Sequence, residues 1–365
     1  MLSPTHPLAR QSRAPHRRLA DHIGSRDNRI DQLRLYAALA VVLGHSWHIA
    51  LGRDARPPLQ DWTIFGFHSL AVHVFFFLSG LLVTESARRH ISKPVSYVRK
   101  RALRILPALI VNAIAVPLIL VAVGAWTGVG LAEMLRYALR LITMMSVQYE
   151  HPGAFAGLPF DAAINGSVWS LRHEVIVYAL LIVASLAGAL AHGWKRWAFL
   201  GFLLAYVLIG HAIAPFAKGG ALYLLAEGRH VMFSFLLGVA AHQFADRVPL
   251  NPVVALPGIA LLSTSILLEN RMLAECGVIW LTCAATLLIA FPRGKAMQLP
   301  HDVSYGVYIW SWPIQQLTVF FALNWFGVTL SPMGLFTLCL GPLLLISLAS
   351  WLWVERPALR WAQRQ

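Results

Sequence analysis

Apolar residues run through this sequence in long blocks rather than in the spaced stripe of a helix that turns one face to water. A helix rises about 1.5 Å per residue, so about 20 consecutive apolar residues are needed to cross roughly 30 Å of hydrocarbon. Blocks of that kind are predicted near residues 33–51, 65–86, 105–126, 168–190, 197–216, 229–244, 252–268, 274–291, 303–323 and 333–354. The sixth is the weakest, because Arg229, His230 and His242 interrupt it. A further block, 131–147, carries Glu133, Arg136 and Arg140 at helical spacing and is expected to lie along the membrane surface. The pattern thus predicts an all-α integral membrane protein with about ten transmembrane helices.

Composition agrees. The chain is 58% hydrophobic and 13% charged with mean hydropathy +0.62, whereas a soluble domain is about 45–50% apolar and about 25% charged. Too little polar surface remains to coat a soluble globule. Basic residues gather in alternate loops, chiefly at Arg10, Arg13, Arg17, Arg18, Arg26, Arg29 and from Arg88 to Arg104, with Lys195, Arg196, Arg293, Lys295, Arg356, Arg360 and Arg364 in phase. Cytoplasmic loops retain such charge, so both termini are expected in the cytoplasm of a multi-pass protein of the bacterial inner membrane. The net charge of +14 follows this loop-by-loop topology, which argues against nucleic acid as a partner. Cys276, Cys283 and Cys339 lie in apolar blocks without metal-ligand spacing, so no metal and no disulfide framework are expected. The expected organisation is a basic disordered tail over 1–30, a transmembrane domain over 31–357 and a short tail over 358–365; the first span then serves as an uncleaved anchor.

Ionisable groups inside spans cost several kcal/mol unless they are paired or hydrated, and each is a candidate for chemistry. Arg34 and His45 are eleven residues apart in the first span, so they share a face, with His45 about 16 Å further along the axis. Arg34 read alone is a charged anchor at the membrane edge, and His45 is a structural or a catalytic histidine. Glu174, in the fourth span, is expected at the depth of His45, where a carboxylate can orient an imidazole as general base or simply pair with Arg172. Arg99, Lys100, Arg101 and Arg104 crowd the cytoplasmic entry to the third span, either as topology signals or as a phosphate site. Ser79 and Gly80 allow close helix approach, and Pro313 interrupts a span and frees carbonyls that neighbours must satisfy.

Five of these pieces, in order, resemble the acyltransferase-3 family of bacterial membrane O-acyltransferases. They are Arg34 with His45 ten residues between, FFFLSG at 75–80, RKRALRILP at 99–107, WSLRHE at 169–174 and SYGVYIW at 304–310. Two positions depart from the family pattern: Ser311 stands where a histidine is frequent, and His73 where an acidic residue is frequent. The resemblance implies transfer of an acyl group, usually acetyl from acetyl-CoA, to a hydroxyl of a carbohydrate or glycolipid acceptor. It implies His45 and Glu174 as catalytic residues and Arg34, Arg99, Arg101 and Arg104 as the acyl-CoA site. Trp169, Ser170, Ser79, Tyr305 and Tyr308 are then expected to bind or support substrate. Either His45 acts as a general base or an acyl-histidine relays the group. A proton-coupled transporter is the competing class, since carriers also bury His and Glu, but no inverted repeat or paired broken helices support it.

Overall fold

The computed structural model describes residues 17–25, 27–144, 150–191, 193–292 and 299–363. Arg10, Arg13, Arg26, Arg293, Lys295, Arg364 and the end of the expected surface helix, 145–147, lie outside the described residues. The chain forms α1 (Ile30–Leu51), α2 (Gln60–Thr63), α3 (Phe67–Arg89), α4 (Pro94–Ala122), α5 (Leu131–Thr143), α6 (Leu171–Leu186) and α7 (Trp194–Ile213). It continues through α8 (Gly220–Gln243), α9 (Leu256–Leu267), α10 (Arg271–Ala290), α11 (Ser304–Phe326), α12 (Pro332–Ser350) and α13 (Arg356–Gln363). Among the described residues there is no strand, only isolated β-bridges.

Seven helical stretches among the described residues are long and apolar enough to cross a membrane: α3, α4, residues 166–186, α7, α8, α10 and residues 332–362. The protein is therefore a multi-pass membrane protein. The remaining predicted spans correspond to α1, α9 and α11, each for its own reason less lipid-like. α9 is only 12 residues long. α1 carries Asp31, Arg34, His45 and His48. α11 is buried along most of its length and spends its polar groups on neighbours: Gln315 donates to Val42 O at 2.9 Å and to Ser46 Oγ at 2.7 Å, and Gln316 donates to Phe160 O at 2.7 Å. A helix surrounded by protein needs no apolar circumference. α4 begins at Pro94, well before the apolar block at 105, because proline suits the first turn and the basic residues that follow can reach water from a helix.

The polar interruptions of the sixth span are absorbed by partners. In α8, His230 meets Glu275 at 2.9 Å, His242 meets Glu85 at 3.1 Å, and Arg229 donates to Ala226 O. α3 and α8 touch backbone to backbone: a Cβ on Gly80 would stand 2.3 Å from Phe235 O, and one on Gly238 2.2 Å from Phe77 O. Gly238→Val is thus expected to force these two helices apart and to destabilise the protein by about 1–3 kcal/mol, read as a lower Tm in detergent. An unchanged Tm would show the contact to be looser than this.

The basic N-terminal segment is not wholly a loose tail. Leu19 is fully buried, its N–H donates to Val248 O at 3.0 Å, and Arg17 Nη2 donates to Pro292 O at 2.9 Å. One apolar side chain and a few backbone bonds are enough to dock residues that charge alone marks as solvated. At the other end of the bundle, α5 and residues 150–165 form a cap, fixed by Phe155 N–H to Ala125 O at 2.7 Å and by Arg53 bonding Glu150 at 2.6 Å. α5 keeps Tyr137 and Leu141 buried and leaves Leu131, Leu135 and Leu139 exposed beside Arg136 and Arg140, as a surface-lying helix requires.

Candidate functional site

Proline chemistry positions the centre of the bundle. Pro313 has no N–H to give Ile309 O, and that carbonyl instead accepts from Asn165 Nδ2 at 2.9 Å and Asn112 Nδ2 at 3.2 Å. Asn165 also accepts from Ser167 N–H and so caps the 3-10 turn Gly166–Ser170 that leads into α6. These two asparagines are fully buried and lash α4, α11 and that turn together. Trp169 and Ser170 are carried on the turn, and Ser170 Oγ lies 2.8 Å from Tyr308 Oη.

Two cavities lie in succession along α1. The first, nearer the basic end, is walled by Arg34, Arg101, Arg104, Ser79, Ser170, Glu174, Tyr178, Tyr305 and Tyr308, among others. The second is walled by His45, His48, Arg53, His68, Phe160, Trp169 and Trp312. Val72 and Tyr308 belong to both walls, so the two spaces are divided only by a thin partition.

In the first cavity the guanidiniums are organised by a residue the sequence reading did not single out. Asp302 Oδ2 accepts from Arg34 Nη1 at 3.0 Å and from Arg104 Nη2 at 2.7 Å, while Ser304 Oγ donates to Oδ1 at 2.6 Å. Burial pushes the Asp302 carboxyl up, but the two guanidiniums and these hydrogen bonds outweigh it and hold the group well below the usual carboxylate range. A depressed carboxylate contributes its stabilisation in full above its unfolded value of about 3.9 and loses it only as pH falls towards the folded value. The clamp is therefore intact at every pH above about 4. Arg104 stacks over Tyr305, whose hydroxyl is tied to Ile105 O at 2.9 Å, and Arg101 stacks over Tyr178. Arg99 is turned elsewhere: its guanidinium lies over Trp361 of α13, and it is not part of the cavity wall.

Tyr178 Oη donates to Glu174 Oε1, so the carboxylate is committed within α6 and faces the arginine-lined cavity. The structure does not bring Glu174 to His45, which lines the other cavity. Trp169 lines the cavity of His45, whereas Glu174, more than a helical turn further along the chain, lines the cavity of Arg34 and Arg104. His45 is 7% exposed; its ring meets Trp312 edge-on at 4.8 Å and His68 at 6.0 Å, and Nδ1 has no hydrogen-bond partner. His48 and His68 are 5.4 Å apart, so three imidazoles share this wall. Arg53 over Phe160, and Phe160 against Trp312, roof the cavity on the capped side.

The two departures from the family pattern have structural counterparts. Ser311 is fully buried, donates to Tyr308 O at 3.0 Å and lies 3.1 Å from Ser167 Oγ, so its hydroxyl serves helix packing. His73 lies outside both cavity walls and is held by Ser234 at 2.9 Å. Neither Asp302 nor His68 carried a sequence signal of its own; Asp302 stands just before the SYGVYIW segment, and that adjacency is the only hint available.

Comparison with known proteins bears on the whole arrangement. Residues 27–352 match the acyltransferase-3 family model, described as an acyltransferase domain. The chain is 26% identical to nodulation protein 10 of Rhizobium leguminosarum bv. viciae, over 93% of this chain and 95% of that one. It is 30% identical to the O-acetyl transferase of Shigella phage Sf6, over 80% and 86% of the two chains. It is also 27% identical to the exopolysaccharide production protein ExoZ of Rhizobium meliloti strain 1021, over 66% and 74%. No solved structure matches. The order of the motifs, the helical frame and a family match covering most of the length agree, and the chain belongs to the acyltransferase-3 family as a membrane acyltransferase.

Proposed function

We propose that this enzyme transfers an acetyl group from acetyl-CoA to a hydroxyl of a carbohydrate-containing acceptor across a bacterial inner membrane. The observation that carries the reading is the pair of cavities separated by Val72 and Tyr308, one cationic and one containing an imidazole. Ten spans with both termini in the cytoplasm put the arginine-lined cavity on the cytoplasmic side, where coenzyme A is available. Arg34, Arg101 and Arg104 then meet phosphate groups of the donor, and the thioester arm reaches towards the partition. The acceptor enters from the capped side, and His45 takes the proton of its hydroxyl as the oxygen attacks the thioester carbonyl. The carbon–sulfur bond breaks, the thiolate leaves, and the proton passes from His45 to sulfur. The O-acetyl transferase and exopolysaccharide relatives support the oxygen nucleophile and the carbohydrate class.

The test uses purified protein in detergent with acetyl-CoA. Slow release of free thiol, accelerated by an acceptor oligosaccharide, is expected. Absence of both donor binding and thiol release would favour a carrier instead. Mass spectrometry of surface glycans from a deletion strain identifies the acceptor as the species that loses 42 Da acetyl increments, on the order of one per modified sugar by the chemistry of ester formation.

A further inference from the structure

Away from both cavities, three helices bring together side chains far apart in sequence. His211 of α7, His230 of α8 and Glu275 of α10 place one ligand-capable atom each within 4.8 Å of one another. All three side chains are largely buried, at 10%, 17% and 5% exposure. With neutral imidazole rings the bonding does not close as an ordinary hydrogen-bonded cluster. His211 Nδ1 lies 2.9 Å from Val207 O, and since a carbonyl can only accept, Nδ1 carries the hydrogen. In the neutral ring Nε2 then presents a lone pair. That atom lies 3.3 Å from Glu275 Oε2 and makes no hydrogen bond to it. A lone pair so near a carboxylate oxygen is repulsive, so either a proton on Nε2 or a metal ion must lie between them, and the lack of hydrogen-bond geometry there favours the ion.

We infer that His211, His230 and Glu275 form a binding site for a divalent transition metal, with Zn²⁺ the best match. Two ligands about 2.0–2.1 Å from a tetrahedral ion stand about 3.3 Å apart, with their lone pairs aimed at the ion rather than at each other. The His211 to Glu275 separation has that value, while His230 Nε2, at 2.9 Å from the same oxygen, is closer than that edge and moves outward as the ion enters. Two imidazoles and one carboxylate leave a fourth position for water or a further ligand. Surrounding contacts hold the donors as metal ligands are commonly held: Val207 O fixes the His211 tautomer, and Arg271 Nε occupies Glu275 Oε1 at 2.9 Å, leaving Oε2 to the site. Arg271 is 79% exposed, so the site is one helical turn from solvent. The ion ties α7, α8 and α10 together. His230 Nε2 shares a proton with Glu275 at 2.9 Å; metal binding displaces that proton, and affinity therefore falls as pH is lowered.

The full-length protein is stripped with a chelator in detergent, desalted and titrated with Zn²⁺ by calorimetry and with Co²⁺ by visible absorption. One equivalent of Zn²⁺ is expected, with proton release, a Zn²⁺-dependent rise in Tm, and the intense bands of tetrahedral Co²⁺. His211→Ala and Glu275→Gln should each weaken Zn²⁺ binding by about 100-fold or more, beyond the loss typical of outer-shell changes. The inference is overturned if wild-type protein gives neither the Tm rise nor the tetrahedral Co²⁺ spectrum, which requires no variant to fold. It is equally overturned if the two variants bind Zn²⁺ as the wild type does.

Discussion

His45→Ala is expected to lower kcat for acyl transfer by about 10²–10⁴-fold, the usual contribution of a positioned general base, with little change in acetyl-CoA affinity. The separation of effects follows from the two-cavity layout. In the proposed reaction the donor's phosphates meet arginines in a space whose walls do not include His45, so truncating the imidazole leaves that surface untouched. The ring's own contacts are one edge-on approach to Trp312 and a looser one to His68, so the structural cost is modest and gel filtration with a Tm measurement can control for it. Single-turnover thiol release measured in parallel with equilibrium binding of acetyl-CoA distinguishes the two effects. A variant that keeps kcat within a few-fold of wild type would remove His45 from the chemistry. Loss of acetyl-CoA binding in parallel would instead mean that the partition at Val72 and Tyr308 does not isolate the two spaces.

Arg104→Ala should act on the opposite side of the ledger, raising KM for acetyl-CoA by about 10–150-fold, corresponding to the 1.5–3 kcal/mol of a hydrogen bond to a charged group. Arg104 is the more buried of the two arginines on Asp302, 14% exposed against 26% for Arg34, and its bond is the shorter. Its removal leaves Asp302 with half its compensation and shifts the cavity towards negative potential, against a phosphorylated donor. Asp302→Asn should raise KM in the same direction, because two neighbouring guanidiniums without their shared carboxylate repel and splay. A double-mutant cycle between the two positions should then return a coupling of about 0.5–3 kcal/mol. Additive effects would show that Asp302 does not position Arg104, and an unchanged KM in Arg104→Ala would remove this cavity from donor binding.

Hydrophobic runs and short motifs in the sequence carry much of the fold and the family. A side chain facing lipid must be apolar wherever its neighbours lie, so the helices appear close to their predicted positions, including the amphipathic α5. The proline in α11 announced that a carbonyl needed an outside partner, and Ser79 with Gly80 announced a close helix pair; both are local statements of backbone chemistry. What lay beyond reach were pairings across hundreds of residues. Asp302 and Arg34 are separated by 268 positions, and His230 and Glu275 by 45. Depth along a helix can be counted from sequence, which is why Arg34 and His45 fall in line along α1, but rotation about a helix axis relative to a neighbour cannot. Glu174 meets Tyr178 and the arginine-lined cavity rather than His45, and Arg99 meets Trp361. Residue order alone sets where the apolar segments fall, what chemistry they carry and to which family they belong. Only tertiary packing decided which charges meet, because that depends on how ridges of one helix settle against another, a property of the assembled surface and not of any one segment.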